Sequence, residues 1–278
     1  MSTKAPRIWG IHARPGQLLA WVLAVLPFAL VLGAYLIASD VRHRENPSDK
    51  VLPGFTQMAH AVDRMAFTED KRSGHYLMLE DTKASLGRLL TGVALAAAAG
   101  LLVGINMGLF PGMSAGIHPF ITFISMVPPL AILPILFIAL GVDELAKVSL
   151  IFLGTFPMIT RDIYLATRKL PGEQITKALT LGAGQLDILY RIVLPQVLPR
   201  LIDTLRLSLG AAWLFLIAAE AIASSEGLGY RIFLVRRYLA MDVILPYVMW
   251  ITFLGFALDW LLRVLLRWRF SWYLVTKD

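Results

Sequence analysis

The sequence predicts an all-α, polytopic membrane protein with six transmembrane helices. Three observations predict it. Of 278 residues, 57% are hydrophobic and only 16% charged; mean hydropathy is +0.67; and the apolar residues fall into runs long enough to cross a bilayer. A soluble domain is about 45–50% apolar and about 25% charged, so the charge here is too sparse to cover a water-facing surface. The composition excludes a disordered chain, a collagen-like fibre and a disulfide-stapled scaffold. Cysteine is absent, which excludes thiolate catalysis, cysteine-ligated zinc and disulfides. The net charge of +7 (26 Lys and Arg against 19 Asp and Glu) reads as the basic flanks of membrane spans rather than a nucleic-acid surface.

A span needs about 20 mostly apolar residues to cross about 30 Å of hydrocarbon. Runs at 18–38, 85–110, 117–140, 145–160, 205–223 and 243–266 are the six candidates; the fourth is short, and Pro157 near its end suggests a kink or an early stop. The first run is longer than the apolar region of a cleaved signal peptide, and no small-x-small site precedes Asp40, so it is expected to be retained. Lys4, Arg7 and Arg14 precede the first span, and Arg263, Arg267, Arg269 and Lys277 surround the end of the last. By the positive-inside rule both termini are then cytoplasmic. The expected organisation is a cytoplasmic tail at 1–17, a first transmembrane helix at 18–38 and an extracytoplasmic connector at 39–84. A transmembrane core at 85–266 follows, with a cytoplasmic loop at 161–204, and then a cytoplasmic tail at 267–278. The connector has apolar residues at helical spacing from Phe55 to Val62, which predicts a surface helix. The segment 224–242 would be external yet carries Arg231, Arg236 and Arg237, so it should be partly re-entrant or packed on other helices.

The second span has a small residue at every fourth position: Gly92, Ala96, Gly100, Gly104 and Gly108. Lipid offers no hydrophobic drive between helices, so such a row predicts close backbone approach to another helix. The third span holds Ser125, Met126, Pro128, Pro129 and Pro134. Prolines free backbone carbonyls, tolerated at membrane depth only against protein or a wet cavity, so this helix is either a kinked packing element or a pathway liner. Among polar residues inside the spans, Asp259 and Arg263 form an i,i+4 pair. Glu220 has no such local partner, which makes it either a site residue or a hydrogen-bonded packing residue.

The cytoplasmic run from Pro171 to Pro195 is amphipathic, too short and too polar to span. Pro171 and Glu173 suit a first helical turn, while Ile175, Ala178 and Leu179 make an apolar face. Gly182 can turn the chain, Asp187 to Val193 restarts a helix, and Pro195 and Pro199 are expected to stop it. Two short helices at an angle make a knob suited to a groove in a cytoplasmic partner.

Here the residues meet a family pattern. The spacing Ala178-x-x-x-Gly182, nine residues, then Ile192-x-Leu194-Pro195 resembles the EAA loop of bacterial ABC importer permeases. The run from Trp213 to Glu220, followed by Gly227-Leu-Gly-Tyr230-Arg-Ile, resembles the nitrate/sulfonate/taurine/bicarbonate branch, as does Ser85-Leu-x-Arg88-x-x-x-Gly92. The glutamate and first alanine that name the loop are replaced by Thr176 and Lys177, which removes a negative charge at the contact. The resemblance implies a type I importer (MetI-like) permease in the bacterial inner membrane. It implies two permease copies forming the pathway, in a homodimer, two ABC ATPase subunits carrying ATP and Mg, and an extracytoplasmic solute-binding protein. On that resemblance 176–185 is the coupling helix, with Thr176, Lys177, Ala178, Leu179, Gly182, Ala183, Asp187, Ile192, Leu194 and Pro195 at the coupling contact. Ser125, Met126, Pro128, Pro134, Trp213 and Glu220 are the expected pathway residues.

The sequence carries no phosphate loop of the G-x-x-x-x-G-K-[ST] type, no H-E-x-x-H and no G-x-S-x-G. His12, His43, His60, His75 and His118 lack metal-ligand spacing. No catalytic residue, cofactor or metal is therefore expected in this chain, and a membrane enzyme is disfavoured. The other alternative, an ion-coupled secondary transporter, would favour inverted repeats and several intramembrane ionisable groups.

Overall fold

The computed structural model describes residues 16–45, 50–70 and 74–275, and among them every regular element is helical. Lys4, Arg7, His12, Arg14 and Lys277 lie outside the described residues. The elements are α1 (Gln17–Glu45), α2 (Phe55–Val62, continued by a π-helical turn at Asp63–Phe67), α3 (Leu77–Leu109), α4 (Pro111–Met126), α5 (Pro129–Leu140) and α6 (Glu144–Arg168). They continue with α7 (Gly172–Thr180), α8 (Gln185–Asp187, with a π-helical turn at Ile188–Val193), α9 (Leu194–Ile222), α10 (Leu228–Arg236), α11 (Met241–Arg269) and α12 (Ser271–Val275). Five helical stretches are long and apolar enough to span, and α4 with α5 makes a sixth if the bent pair counts as one.

The helices outrun the apolar windows. α3 begins eight residues before the predicted span because its first turns bury Asp81 against other helices, and hydropathy reads that stretch as loop. α6 runs through Pro157 to Arg168, correcting the expected early stop. A single missing N–H deprives only the Leu153 carbonyl, and Pro157 is itself buried. α9 begins at Leu194 and contains Pro195 and Pro199, so neither stops the chain. Pro195 occupies the first turn, where no N–H is required. The restart at 187–193 is the π-helical turn that leads directly into α9.

The third predicted span is broken rather than kinked. α4 and α5 meet at 96°. Pro128 and Pro129 deny donors to the Ile124 and Ser125 carbonyls, and Val127 is driven to φ −76°, ψ 121°. The Val127 N–H turns back to the Ile124 carbonyl at 3.1 Å.

The small-residue row of α3 meets α6 along its length. A Cβ added at Gly92 would lie 2.7 Å from Ile151 Cβ, and one at Gly104 2.8 Å from Ile163 Cβ; Gly100 faces Ile159 and Gly108 faces Thr167. All four pairs keep the same separation along the chain, so α3 and α6 run parallel with one constant offset. Two parallel helices need a return crossing between them, which α4 and α5 provide.

α2 is more than a surface helix: Met58 and Ala61 are buried, and it packs on α11. α1 is tied at one end only, where Tyr35 Oη donates to the Pro53 carbonyl at 2.6 Å and Ser39 Oγ to the Leu52 carbonyl at 3.0 Å. As expected for 224–242, α10 packs on α9, α11 and α3, and the Arg236 guanidinium sits 5.0 Å from the Phe233 ring centre.

Gly104→Val adds branched bulk inside the seam, where even a Cβ would stand 2.8 Å from Ile163, and overpacking there costs about 1–3 kcal/mol. Thermal unfolding in detergent should show that loss. Gly112→Ala, where an added Cβ meets nothing within 4 Å, should leave the midpoint nearly unmoved.

Candidate functional site

Three polar constructions stand out on this bundle: a buried ion cluster at one end, a knob at the other, and a cleft between. The cluster joins five helices. Glu220 of α9 is fully buried; its carboxylate accepts from Arg88 Nη1 at 2.7 Å, Ser85 Oγ at 2.8 Å and the Gly229 N–H at 2.8 Å. Arg88 Nε and Nη2 also grip both oxygens of Glu144, at 2.5 and 2.7 Å, and Nη1 reaches the Glu226 carbonyl at 2.9 Å. Lys147 Nζ donates to Glu144 at 3.0 Å and to Ser224 Oγ at 3.2 Å. Alongside, Asp81 accepts from Arg231 Nε at 2.8 Å, Tyr247 Oη at 3.0 Å and the Gly227 N–H at 2.9 Å. Arg88, Lys147 and Arg231 thus pair with Asp81, Glu144 and Glu220, and the Glu226 carboxylate stands 3.6 Å from Arg88 Nη2 at the rim. Gly227 adopts φ +123° and a Cβ there would stand 2.5 Å from Glu220 Cδ, so only glycine lets this turn close on the carboxylate. α10 is too short to span; burial lowers the Arg231 pKa, but the bonds and charge of Asp81 outweigh it and hold the guanidinium above its ordinary value.

The knob is α7, the turn at Gly182 with φ +82°, and α8. Of the predicted coupling residues, Thr176, Lys177, Leu179, Gly182, Asp187 and Pro195 are exposed, while Ala178, Ala183, Ile192 and Leu194 are half-buried. The half-buried ones pack with Ile188 and Val193 against α6 and α9 and hold the knob in place. Leu179 turns outward, away from the face expected to hold Ile175 and Ala178. It joins three apolar side chains that sequence reasoning did not single out, Leu181, Leu186 and Tyr190, exposed by 87%, 69% and 62%. Gln196 Nε2 donates to Gln174 Oε1 at 2.9 Å and ties α7 to the root of α9.

The cleft has a volume of about 490 Å³. Its walls are the α4–α5 break with Ser125, the face of α6 from Leu153 to Leu165, and Thr204 and Leu207 of α9. Asp162 in its wall accepts from Arg200 at 2.5 and 2.7 Å and from the Thr204 hydroxyl. Of the expected pathway residues, Ser125 lines this cleft, and Met126 and Pro128 are exposed beside it at the break. Pro134 is exposed within α5. Trp213 is buried in the core, its indole N–H without a partner among the described residues. Glu220 lies in the ion cluster, not in the cleft wall. The Asp259–Arg263 pair forms at 2.8 Å, and Arg206 of α9 joins it at 2.8 Å.

Arg88 lies inside the predicted second span, and balancing charges of opposite sign across the spans is the signal that would have paired it with Glu220. Among the described residues no group of three or more His, Cys, Asp or Glu is placed to hold a metal.

A polytopic helical bundle, a projecting two-helix knob and a wet cleft beside a broken helix together define a membrane transport component. The chain belongs to the family described as "Binding-protein-dependent transport system inner membrane component", which matches residues 92–270. The taurine transport system permease protein TauC of Escherichia coli is 35% identical over 190 residues, covering 68% of this chain and 69% of that protein. The bicarbonate transport system permease protein CmpB of Synechocystis is 32% identical over 179 residues, covering 64% of each. A chain of the MetNI methionine ABC transporter in inward-facing form superposes with TM-score 0.62 at 17% identity, covering 71% of this chain and 98% of that one, a likeness of fold.

Arg88→Met strands Glu220 without its cation, which costs about 3–5 kcal/mol at a buried pair. Arg263→Met at the more exposed Asp259 should cost under about 1 kcal/mol. Thermal unfolding in detergent compares the two, and equal losses would remove the cluster's structural role.

Proposed function

We propose that this chain is the permease subunit of an ATP-binding-cassette importer for a small oxyanionic or zwitterionic solute such as a sulfonate, taurine or bicarbonate. Two copies line the pathway, two cytoplasmic ATPase subunits grip the knobs, and an extracytoplasmic binding protein delivers the solute. The knob end then faces the cytoplasm, as do both termini, and the ion cluster lies at the outer end. ATP is bound and hydrolysed in the partner subunit, with Mg.

The observation that carries this reading is the knob. An elbow that exposes four large apolar side chains in water has a cost unless a partner covers them. Its short connection to α6 and its π-helical turn into α9 join it to two spanning helices. A motor that moves the elbow therefore moves those helices, and nucleotide is the ligand that biases a two-state change between inward- and outward-facing forms. Names of the relatives support the solute class: taurine, aliphatic sulfonates and bicarbonate appear among them. Within the pathway, Ser125, Met126 and Pro128 border the solute, Pro134 and Trp213 support the helices around it, and Glu220 positions the outer ends.

Leu181→Asp places a charge where the motor docks. Since the residue is 87% exposed, folding stability should change by no more than about 0.5 kcal/mol. ATP-driven uptake by the reconstituted complex should fall about tenfold or more, as for a central interface residue. Gly182→Asp, or removal of 174–185, should abolish uptake while the chain still inserts. Normal uptake by either variant would refute the docking role, and uptake by the purified chain without an ATPase would refute the importer reading.

A further inference from the structure

Four polar residues line the cleft: Ser125, Arg161, Asp162 and Thr204. Two of them neutralise or satisfy one another. Asp162 is gripped by both Arg200 nitrogens, and the Thr204 hydroxyl donates to the same carboxylate. Ser125 Oγ donates to the Thr122 carbonyl at 2.7 Å, leaving its lone pairs toward the cleft. Arg161 is exposed, and no carboxylate lies within ion-pair reach of it among the described residues. The cleft therefore carries one uncompensated charge, and it is a guanidinium.

We infer that Arg161 is the residue with which the inner cleft retains an oxyanion, a sulfonate, carboxylate or carbonate group, and rejects cationic solutes. This rests on the reading of the chain as an importer permease. A basic residue that merely anchored α6 to headgroups would face lipid. Arg161 instead lies seven residues before the end of α6, about 10 Å up the helix axis, on the wall that Gly154, Pro157 and Met158 share. Low-dielectric walls focus the field of such a charge into the opening. The planar fork matches two oxygens of a sulfonate or carboxylate at once, which an ammonium cannot do. Asp162, the one carboxylate of the cleft wall, is occupied by Arg200 and does not compete for Arg161. The Arg200–Asp162 pair thus keeps Arg161 available.

The absence of cysteine supplies a direct test, because Ser125→Cys introduces the only thiol of the chain. The assembled transporter, in inside-out vesicles without nucleotide, is treated with methanethiosulfonate ethylsulfonate or with its trimethylammonium analogue. The thiolate displaces methanesulfinate from either reagent, and labelling at position 125 is read by mass. With Arg161 present the sulfonate reagent should be favoured, and the ratio of the two rates should fall about tenfold in Arg161→Gln, the scale expected for one charge a few ångströms away in a partly wet site. Arg161→Glu should invert the preference, and Arg161→Lys should restore it. Arg161→Lys should also raise the KM for uptake of taurine or bicarbonate, whichever probe the complex transports, because the fork is lost while the charge remains. An unchanged rate ratio across Arg161, Gln and Glu would overturn the assignment, as would absence of labelling at position 125. Failure of the importer reading would appear separately, as uptake that does not require ATP, and would leave the labelling ratio readable.

Discussion

Helices in hydrocarbon gain nothing by hiding apolar surface from one another, so their association depends on how closely two backbones can approach. In this chain that constraint is met along one seam. The glycines of α3 receive Ile151, Ile159, Ile163 and Thr167 of α6 at distances no side chain could share. Because the row repeats every four residues on α3, the contact runs from Gly92 to Gly108, about 24 Å along the helix axis. One face of α6 is thereby fixed to α3, and the opposite face is left to form the cleft wall. The return crossing made by α4 and α5 is the other consequence, since two parallel neighbours cannot be joined by a tight turn.

The two ends of this frame are secured by different physics. At the end away from the knob, Asp81, Arg88, Lys147 and Glu220 are buried together, with Arg231 partly buried and Glu144 at the exposed rim. Such clusters contribute little net stability against apolar packing, but they tolerate very few alternative arrangements. Glu220 needs Arg88, Ser85 and the backbone of Gly229 at once, so α3, α9 and α10 can meet in one register only. Toward the knob, the Asp162–Arg200 pair crosses from α6 to α9 beside the cleft. Five helices are tied together at one end, while the knob projects at the other.

The sequence made the spans, the glycine row, the proline break and the turn at Gly182 legible, because each is a local signal of periodicity or backbone chemistry. Helix ends were less legible. Asp81 looks like loop to a hydropathy window, yet it is buried because its partners sit on α10 and α11, more than a hundred residues away. Pro195 and Pro199 are read as stops, and Pro157 as a kink or an early stop, although a first turn or a buried face accommodates proline without losing the helix. The knob's outline was visible, but Leu181, Leu186 and Tyr190 were not marked as its exposed tip. An apolar residue in a short amphipathic segment carries no local sign of which side lacks a neighbour. Arg161 was counted as loop charge for the same reason: its place in a cleft wall follows only from α6 continuing past Pro157.

That continuation connects the architecture to the relatives. The family match opens at Gly92, the first glycine of the seam, and closes at Phe270, just past the end of α11. Before it lie α1, α2 and the first turns of α3; α1 is tied to the start of α2 through the Tyr35 and Ser39 bonds and the ring of Phe55, and α2 packs on α11. Along most of its length α1 presents apolar side chains outward, and removing its contacts would leave the seam, the ion cluster, the cleft and the knob intact. The seam, the ion cluster, the cleft and the knob are therefore contained within α3 to α11. Within that unit the knob lies at the end of α6 that the seam holds most tightly, where Gly108 meets Thr167 one residue before the helix ends. The knob thus adjoins the tightest contact of the seam, while the Ser125 side of the cleft is carried on α4, which packs on α3 and α6 through Ile121, Met107 and Tyr164.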